Sequence, residues 1–248
     1  MFFVHNHVPT SIKCCDYYFS KISRGAGNLR TALVSSCTTS RRGDKDGIGS
    51  QVRLSNPLVI VQDILEPRRL VFTDEINNKI KSLNLTNNAV RTEFVGTDPI
   101  AALAQNPLTG DVYFTSQRLN SPNINIYRLP VENLNSSAEL VGTLEDMGVV
   151  VTTYEFTNMI FIHNASKLMV LVPQDRQSAA VKLFNINTSP PQEIACDLGI
   201  EGLQYNYQDG ATGLYLGVDD TLYIGGQLGI AKIAEFSRVV EMFCPTAP

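Results

Sequence analysis

The feature that most limits the fold of this chain is a strand–turn–strand unit that recurs along its length. Short alternating runs of apolar and polar residues appear at Val71–Thr73, Val112–Thr115, Lys167–Val172 and Thr221–Ile224, bounded by Gly, Pro, Asn or Asp. A period of two sends successive side chains to opposite faces of a strand. No window carries a sustained 3.6-residue apolar period with caps at both ends, so helices are not expected as building elements. Segments beginning at Asp16, Leu70, Asp111 and Thr221 each read as a strand, a polar turn and a second strand with a central isoleucine (Ile22, Ile80, Ile126, Ile233). A fifth, from Leu168, fits more loosely. The step from Asp16 to Asp74 is 58 residues and from Asp74 to Ser116 it is 42. A four-stranded blade with short turns needs roughly 40–50 residues, and an insertion in one loop stretches it.

One such sheet cannot bury both of its faces alone. Stacking sheets radially buries them, and closing the ring leaves few open edges. The expected fold class is therefore all-β: a β-propeller of four-stranded blades, with five units visible. Residues 1–11 read as an N-terminal tail and residues 12–248 as a single propeller domain.

Composition removes several functions. The net charge is −4, from 20 basic and 24 acidic residues, so no basic excess exists to neutralise phosphates and nucleic acid is not an expected partner. No run of 18 apolar residues occurs, so no membrane span is expected. The opening MFFVHNHVPT is too briefly apolar for a secretory signal. The five cysteines, Cys14, Cys15, Cys37, Cys196 and Cys244, form no CxxC, and an odd count leaves at least one thiol unpaired within the chain.

The stretch from Gly43 to Asp63, followed by Arg68 to Leu85, resembles an NHL repeat. The residues that carry the resemblance are Asp46, Gly47, Gly49, Asn56, Pro57, Asp63, Asp74, Asn77, Asn78 and Ile80. Gly47 and Gly49 would permit positive φ in a tight loop. Pro57 would stiffen the chain as it enters the innermost strand, and the short side chains of Asp74 and Asn78 would bond turn backbone between the second and third strands. The family places Gly after the Pro, where this chain has Leu58. Later units lack the Asp-Gly turn apart from an echo at Asp209-Gly210. VFTD, at Val71–Asp74, has the shape of the related YWTD propellers, although the chain contains no Trp. The resemblance implies six blades, so a blade is diverged beyond recognition or the N-terminus is incomplete.

Catalytic chemistry finds little to build on. The only histidines are His5, His7 and His163. His5 and His7 would share a strand face as a metal pair does, but lack an obvious third ligand. No GxSxG nucleophile elbow exists. Some propellers similar to the NHL family are amidating lyases with histidine-held metal. Others are lactonases holding a divalent metal such as calcium with Glu, Asn and Asp from several blades. Glu201, Asp209, Asp219 and Asp220 are available for such a site, and the Asp219–Asp220 pair also reads as an ordinary hairpin turn. The expected function is therefore a non-enzymatic module that binds protein or glycan; the alternative is a metal-assisted hydrolase or lyase with its site in the central channel.

Asn84-Leu85-Thr86, Asn135-Ser136-Ser137 and Asn164-Ala165-Ser166 have the form of N-glycosylation acceptors. Asn187-Thr188-Ser189 is a fourth, weakened by Pro190. These sequons favour an extracellular, secreted glycoprotein, with a cytoplasmic location as the alternative. Cys37, Cys196 and Cys244 each follow the last strand of a unit, positions too far apart in a propeller to bridge one another. Cys14 or Cys15 is the more plausible partner for one of them.

Overall fold

The computed structural model describes residues 2–4, 22–24, 42–55, 57–118, 121, 123–130, 137–144, 158–162, 166–173, 178–188, 191–194, 199–201, 214–226 and 229–244. The chain divides into two compact units, residues 1–95 and 96–248.

In the first unit, β1 (Phe2–Val4) pairs antiparallel with β2 (Ile22–Arg24). A second sheet contains β3 (Gly47–Ile48), β4 (Pro57–Gln62), β5 (Arg69–Asp74), β6 (Lys79–Asn84) and β7 (Ala89–Val95) in the order β3-β7-β6-β5-β4, antiparallel throughout. β4 to β7 form an up-and-down meander, and the earlier segment carrying β3 adds to the outer edge of β7. The chain then crosses the sheet, so that Val52 and Leu54 close over Leu70, Phe72, Leu83 and Val90. Every residue of β5 is buried. That explains why RLVFTD is β-branched and aromatic at its centre, and why its polar members need bonded partners.

In the second unit, β8 (Ile100–Gln105), β9 (Val112–Ser116), β10 (Ile124–Leu129) and β11 (Glu139–Leu144) repeat the meander. β12 (Asn158–Ile162), β13 (Lys167–Pro173) and β14 (Ser178–Asn185) continue in a second sheet. There β14 pairs with β15 (Gln192–Ile194) through one end and with β16 (Gly199–Glu201) through the other. β17 (Leu214–Leu216), β18 (Leu222–Gly226) and β19 (Gly229–Ile233) make a third sheet. The first strand of the middle sheet, β12, lies against both β8 and β17. Alternate residues of β13 serve two cores. Leu168 and Val170 pack with Ala102, Ile126 and Val141 of the sheet before it, whereas Met169 and Leu171 pack with Leu222 and Ile224 of the sheet after it. Face-to-face stacking of successive four-stranded sheets, with their first strands adjacent, is how propeller blades pack. The architecture is thus nearly all-β, built from blade-like antiparallel sheets.

Residues 236–243 depart from the strand pattern expected of the unit beginning at Thr221: they form a helix, α1 (Phe236–Phe243). Phe236, Val240 and Cys244, four residues apart, form one buried stripe against the core containing Leu222 and Ile224. The cap is not local. The Asp220 carboxylate accepts the Ser237 N–H at 3.0 Å and the Ser237 hydroxyl at 2.7 Å.

One local device is repeated. The β4–β5 register shifts between Pro57 and Ile60, and the β8–β9 register between Ile100 and Leu103. In each bulge an N–H is taken from the ladder and given to a threonine on the second strand. Val59 donates to Thr73 Oγ1 at 3.2 Å and Ala102 to Thr115 Oγ1 at 3.0 Å. Thr73 and Thr115 stand 42 residues apart. Thr115→Val keeps the shape but leaves the buried Ala102 N–H without its acceptor. It should cost about 1–3 kcal/mol, read as a lowered urea midpoint at unchanged m, while Thr115→Ser retains most of the stability.

Candidate functional site

The densest polar constellation lies in the first unit. Lys81 points from the centre of β6 with its side chain 0 % exposed, and its ammonium donates to Asp44 Oδ1 at 3.0 Å, Asp46 Oδ1 at 2.7 Å and Thr92 Oγ1 at 3.1 Å. Asp46 also accepts the Thr92 backbone N–H at 2.7 Å, and Lys79 pairs with Asp44. Asp44 and Asp46 are 37 % and 41 % exposed, so the carboxylates form the wet mouth of a dry lysine socket.

The backbone explains why Asp46 can reach. Gly49 has φ +54 and Gly47 has φ +155, with Gly47 so close to Gln51 that a Cβ would lie 3.1 Å from that residue's Cβ. These two glycines fold the 43–55 segment back onto the sheet. Asp74 is fully buried at the end of β5, opposite Pro57 at the start of β4. Its carboxylate accepts the Ser55 N–H and the Asn77 side-chain amide, each at 2.7 Å. Asn77 also donates to the Gly43 carbonyl at 2.9 Å. Asn78 supplies a left-handed residue, φ 54, that closes the β5–β6 turn. Asp74 thus binds the approach to β4 rather than only its own turn. Asn56 lies outside the described residues.

Electrostatics define what this cluster can do. Burial alone would lower the Lys81 pKa, but hydrogen bonds and attraction from Asp46 and Asp44 outweigh it and hold the pKa above its ordinary value. Lys81 is therefore an ammonium at neutral pH, without the free amine that nucleophilic or Schiff-base chemistry requires. Burial raises and the lysine bonds lower the pKa of Asp44 and Asp46, with the lysines prevailing; for Asp74 burial prevails and the pKa is raised. The cluster is a clasp that fixes the crossing segment to the sheet.

The second candidate is the turn between the first and second strands, in the β4–β5, β8–β9 and β17–β18 pairs. At the β4–β5 turn, Asp63 Oδ1 accepts the N–H groups of Leu65 at 2.9 Å and Glu66 at 3.2 Å. Arg69 holds the other carboxylate oxygen of Asp63, at 2.6 Å through Nε. At the β8–β9 turn, Asn106 Oδ1 accepts the N–H groups of Leu108 at 2.8 Å and Thr109 at 3.2 Å. The same side-chain clamp thus stands 43 residues apart in sequence, and each holds out a leucine: Leu65 is 55 % exposed and Leu108 72 %. The β17–β18 turn likewise projects Val218, 106 % exposed, above the Gly217 N–H to Thr221 O bond of 2.9 Å. Sequence reasoning missed these tips. For Leu65 and Leu108 the signal is an Asx residue two positions before the leucine, at repeat spacing.

Of the residues weighed for metal chemistry, Glu201, Asp219 and Asp220 lie among the described residues. Asp219 accepts the Thr221 N–H within its hairpin turn, and Asp220 caps α1. Glu201 ends β16. His5, His7, His163 and Asp209 lie outside the described residues. Among the described residues, no group of three or more His, Cys, Asp or Glu is placed to hold a metal ion. Among them, too, no helix is long and apolar enough to cross a membrane. Cys244 is disulfide-bonded; Cys14, Cys15, Cys37 and Cys196 lie outside the described residues. Of the sequons, Asn84 ends β6 and the exposed Asn187 follows β14. Asn135 and Asn164 lie outside the described residues.

No protein-family model matches the chain, and no curated protein matches it. Solved structures do. A chain in the crystal structure of a nidogen/laminin complex, a YWTD-type propeller, superposes with a TM-score of 0.52 at 16 % identity, covering 74 % of this chain and 61 % of that one. Oligogalacturonate lyase in complex with manganese gives a TM-score of 0.45 at 11 % identity, covering 71 % of this chain and 47 % of that one. The chain thus spans less than two thirds of either neighbour. The first likeness shows a propeller-type fold and nothing of function.

The clasp yields a prediction with a definite sign. Carboxylates whose folded pKa is lowered contribute stability above their unfolded pKa and lose it as pH falls through the folded value. Asp46→Asn should lower the urea midpoint at pH 7, by about 1–2 kcal/mol given the exposure of the pair. The difference from wild type should shrink as pH falls below the ordinary aspartate value of about 3.9, as a urea titration repeated across pH would reveal.

Proposed function

We propose that this chain is a non-enzymatic β-propeller of NHL type, with residues 12–248 as one domain of a six-bladed ring, that binds a protein partner through its first–second turns outside the cell. The observation that carries this reading is the repeated tip: Leu65 and Leu108, each exposed and each pinned by an Asx side chain through its own N–H. A leucine on a rigid turn has already lost the freedom that binding would otherwise remove, so its burial is realised as affinity. Aliphatic tips match an apolar pocket on a protein better than a sugar, which calls for aromatic platforms and polar hydrogen-bonding groups. The Cys244 disulfide and the sequons favour an oxidising, extracellular setting.

Affinity capture with the wild-type chain, followed by binding measurements on the recovered partner, tests the proposal. Leu65→Ser and Leu108→Ser should each weaken binding about tenfold, the scale of a contact worth more than 1 kcal/mol, without shifting the unfolding midpoint. Val95→Ser, on an exposed residue at the opposite end of its sheet, should leave affinity unchanged. Equal affinity in all three variants, or release of the captured molecule by glycosidase alone, would overturn the proposal.

A further inference from the structure

The two described sequons share a topological position. In an up-and-down sheet the first–second and third–fourth connections lie at one end and the second–third connection at the other. Asn84 is the last residue of β6, in the β6–β7 connection, and Asn187 lies in the β14–β15 connection. Both are third–fourth connections. Both therefore belong to the same end of their own sheets.

Asn84 is built to accept a substituent. Its Oδ1 accepts the Thr86 N–H at 2.8 Å and the Asn87 N–H at 3.3 Å. Both donors are backbone amides, so this atom is the oxygen and the amide nitrogen faces the other way. Among the described residues Nδ2 has no hydrogen-bond partner. Thr86, Asn87 and Asn88 around it are exposed, and the Asn88 N–H to Asn84 carbonyl bond of 2.9 Å closes the turn without it. An N-linked sugar leaves Oδ1 and one N–H in place, so the turn is the same with and without the glycan.

We infer that Asn84 is an N-glycosylation site, one of two described sequons in third–fourth connections of the sheets. The proposal rests on the extracellular placement above, but not on the protein partner. The donor is a polyprenyl-pyrophosphate-linked oligosaccharide. The Asn84 amide nitrogen forms a bond to C1 of the first sugar, the bond from C1 to the pyrophosphate oxygen breaks, the lipid pyrophosphate leaves, and the amide proton passes to base. No electrons are gained or lost.

The test is to direct the full chain into the secretory pathway of animal cells with an appended leader, and to map glycopeptides after glycosidase release in heavy-oxygen water. Conversion of Asn84 to Asp with uptake of the label is expected, and Asn84→Gln and Thr86→Ala should each remove one glycan from the intact mass. Secreted, folded protein whose Asn84 is unmodified overturns the inference, as does a glycan at Asn84 that persists in Thr86→Ala. Because the leader supplies the compartment, a cytoplasmic native location would overturn the extracellular reading and leave this result standing. Because Asn84 lies at the same end of its sheet as the Leu65 turn, the turn-tip variants are compared on chain freed of glycan before capture, so failure of that proposal is read separately.

Discussion

Burial on both faces is the constraint from which the rest of the structure follows. A strand such as β13 sends Leu168 and Val170 into one core and Met169 and Leu171 into another, and so has no solvent face. β5 is buried from Arg69 to Asp74. Such strands are stable only inside a stack, because each sheet supplies the apolar cover its neighbour lacks. Polar groups inside the stack must then be satisfied locally. Arg69 sits between Asp63 and Glu93, and Lys81 between Asp44 and Asp46. Desolvating those cations is offset only because the carboxylates are already in place.

Much of this was legible in the residues, and what was not has physical reasons. The 42-residue step from Asp74 to Ser116 is read from the sequence because blade geometry repeats there. The structure adds the cause: Thr73 and Thr115 each close a bulge at the same point. The resemblance drew attention to Asp46, Gly47 and Gly49 but gave no reason for an aspartate there. Its partner, Lys81, lies 35 residues away on another strand, and no local pattern links them.

The helix was hidden for a similar reason. Only eight residues long, it contains adjacent β-branched valines, Val239 and Val240, and its cap is contributed by Asp220 from a hairpin 17 residues earlier. Helix signals read along the chain depend on a cap next to the helix, and here the cap comes from the tertiary fold. The exposed turn tips were missed because an exposed leucine in a turn is unremarkable singly. Two of them, pinned by the same kind of bond at the same place in successive meanders, form a pattern that only the hydrogen bonds reveal.

The lysine socket has a consequence for how this molecule can be watched. An amine that is fully enclosed, protonated and shared by two carboxylates is shielded from acylating reagents, while Lys79 beside it is partly open. Lys81 can be labelled only when the 43–55 segment lifts from the sheet, a local opening distinct from global unfolding. The side chain that fastens this segment is therefore also its built-in indicator: the ratio of label on Lys81 to label on Lys79 measures how often the clasp comes undone.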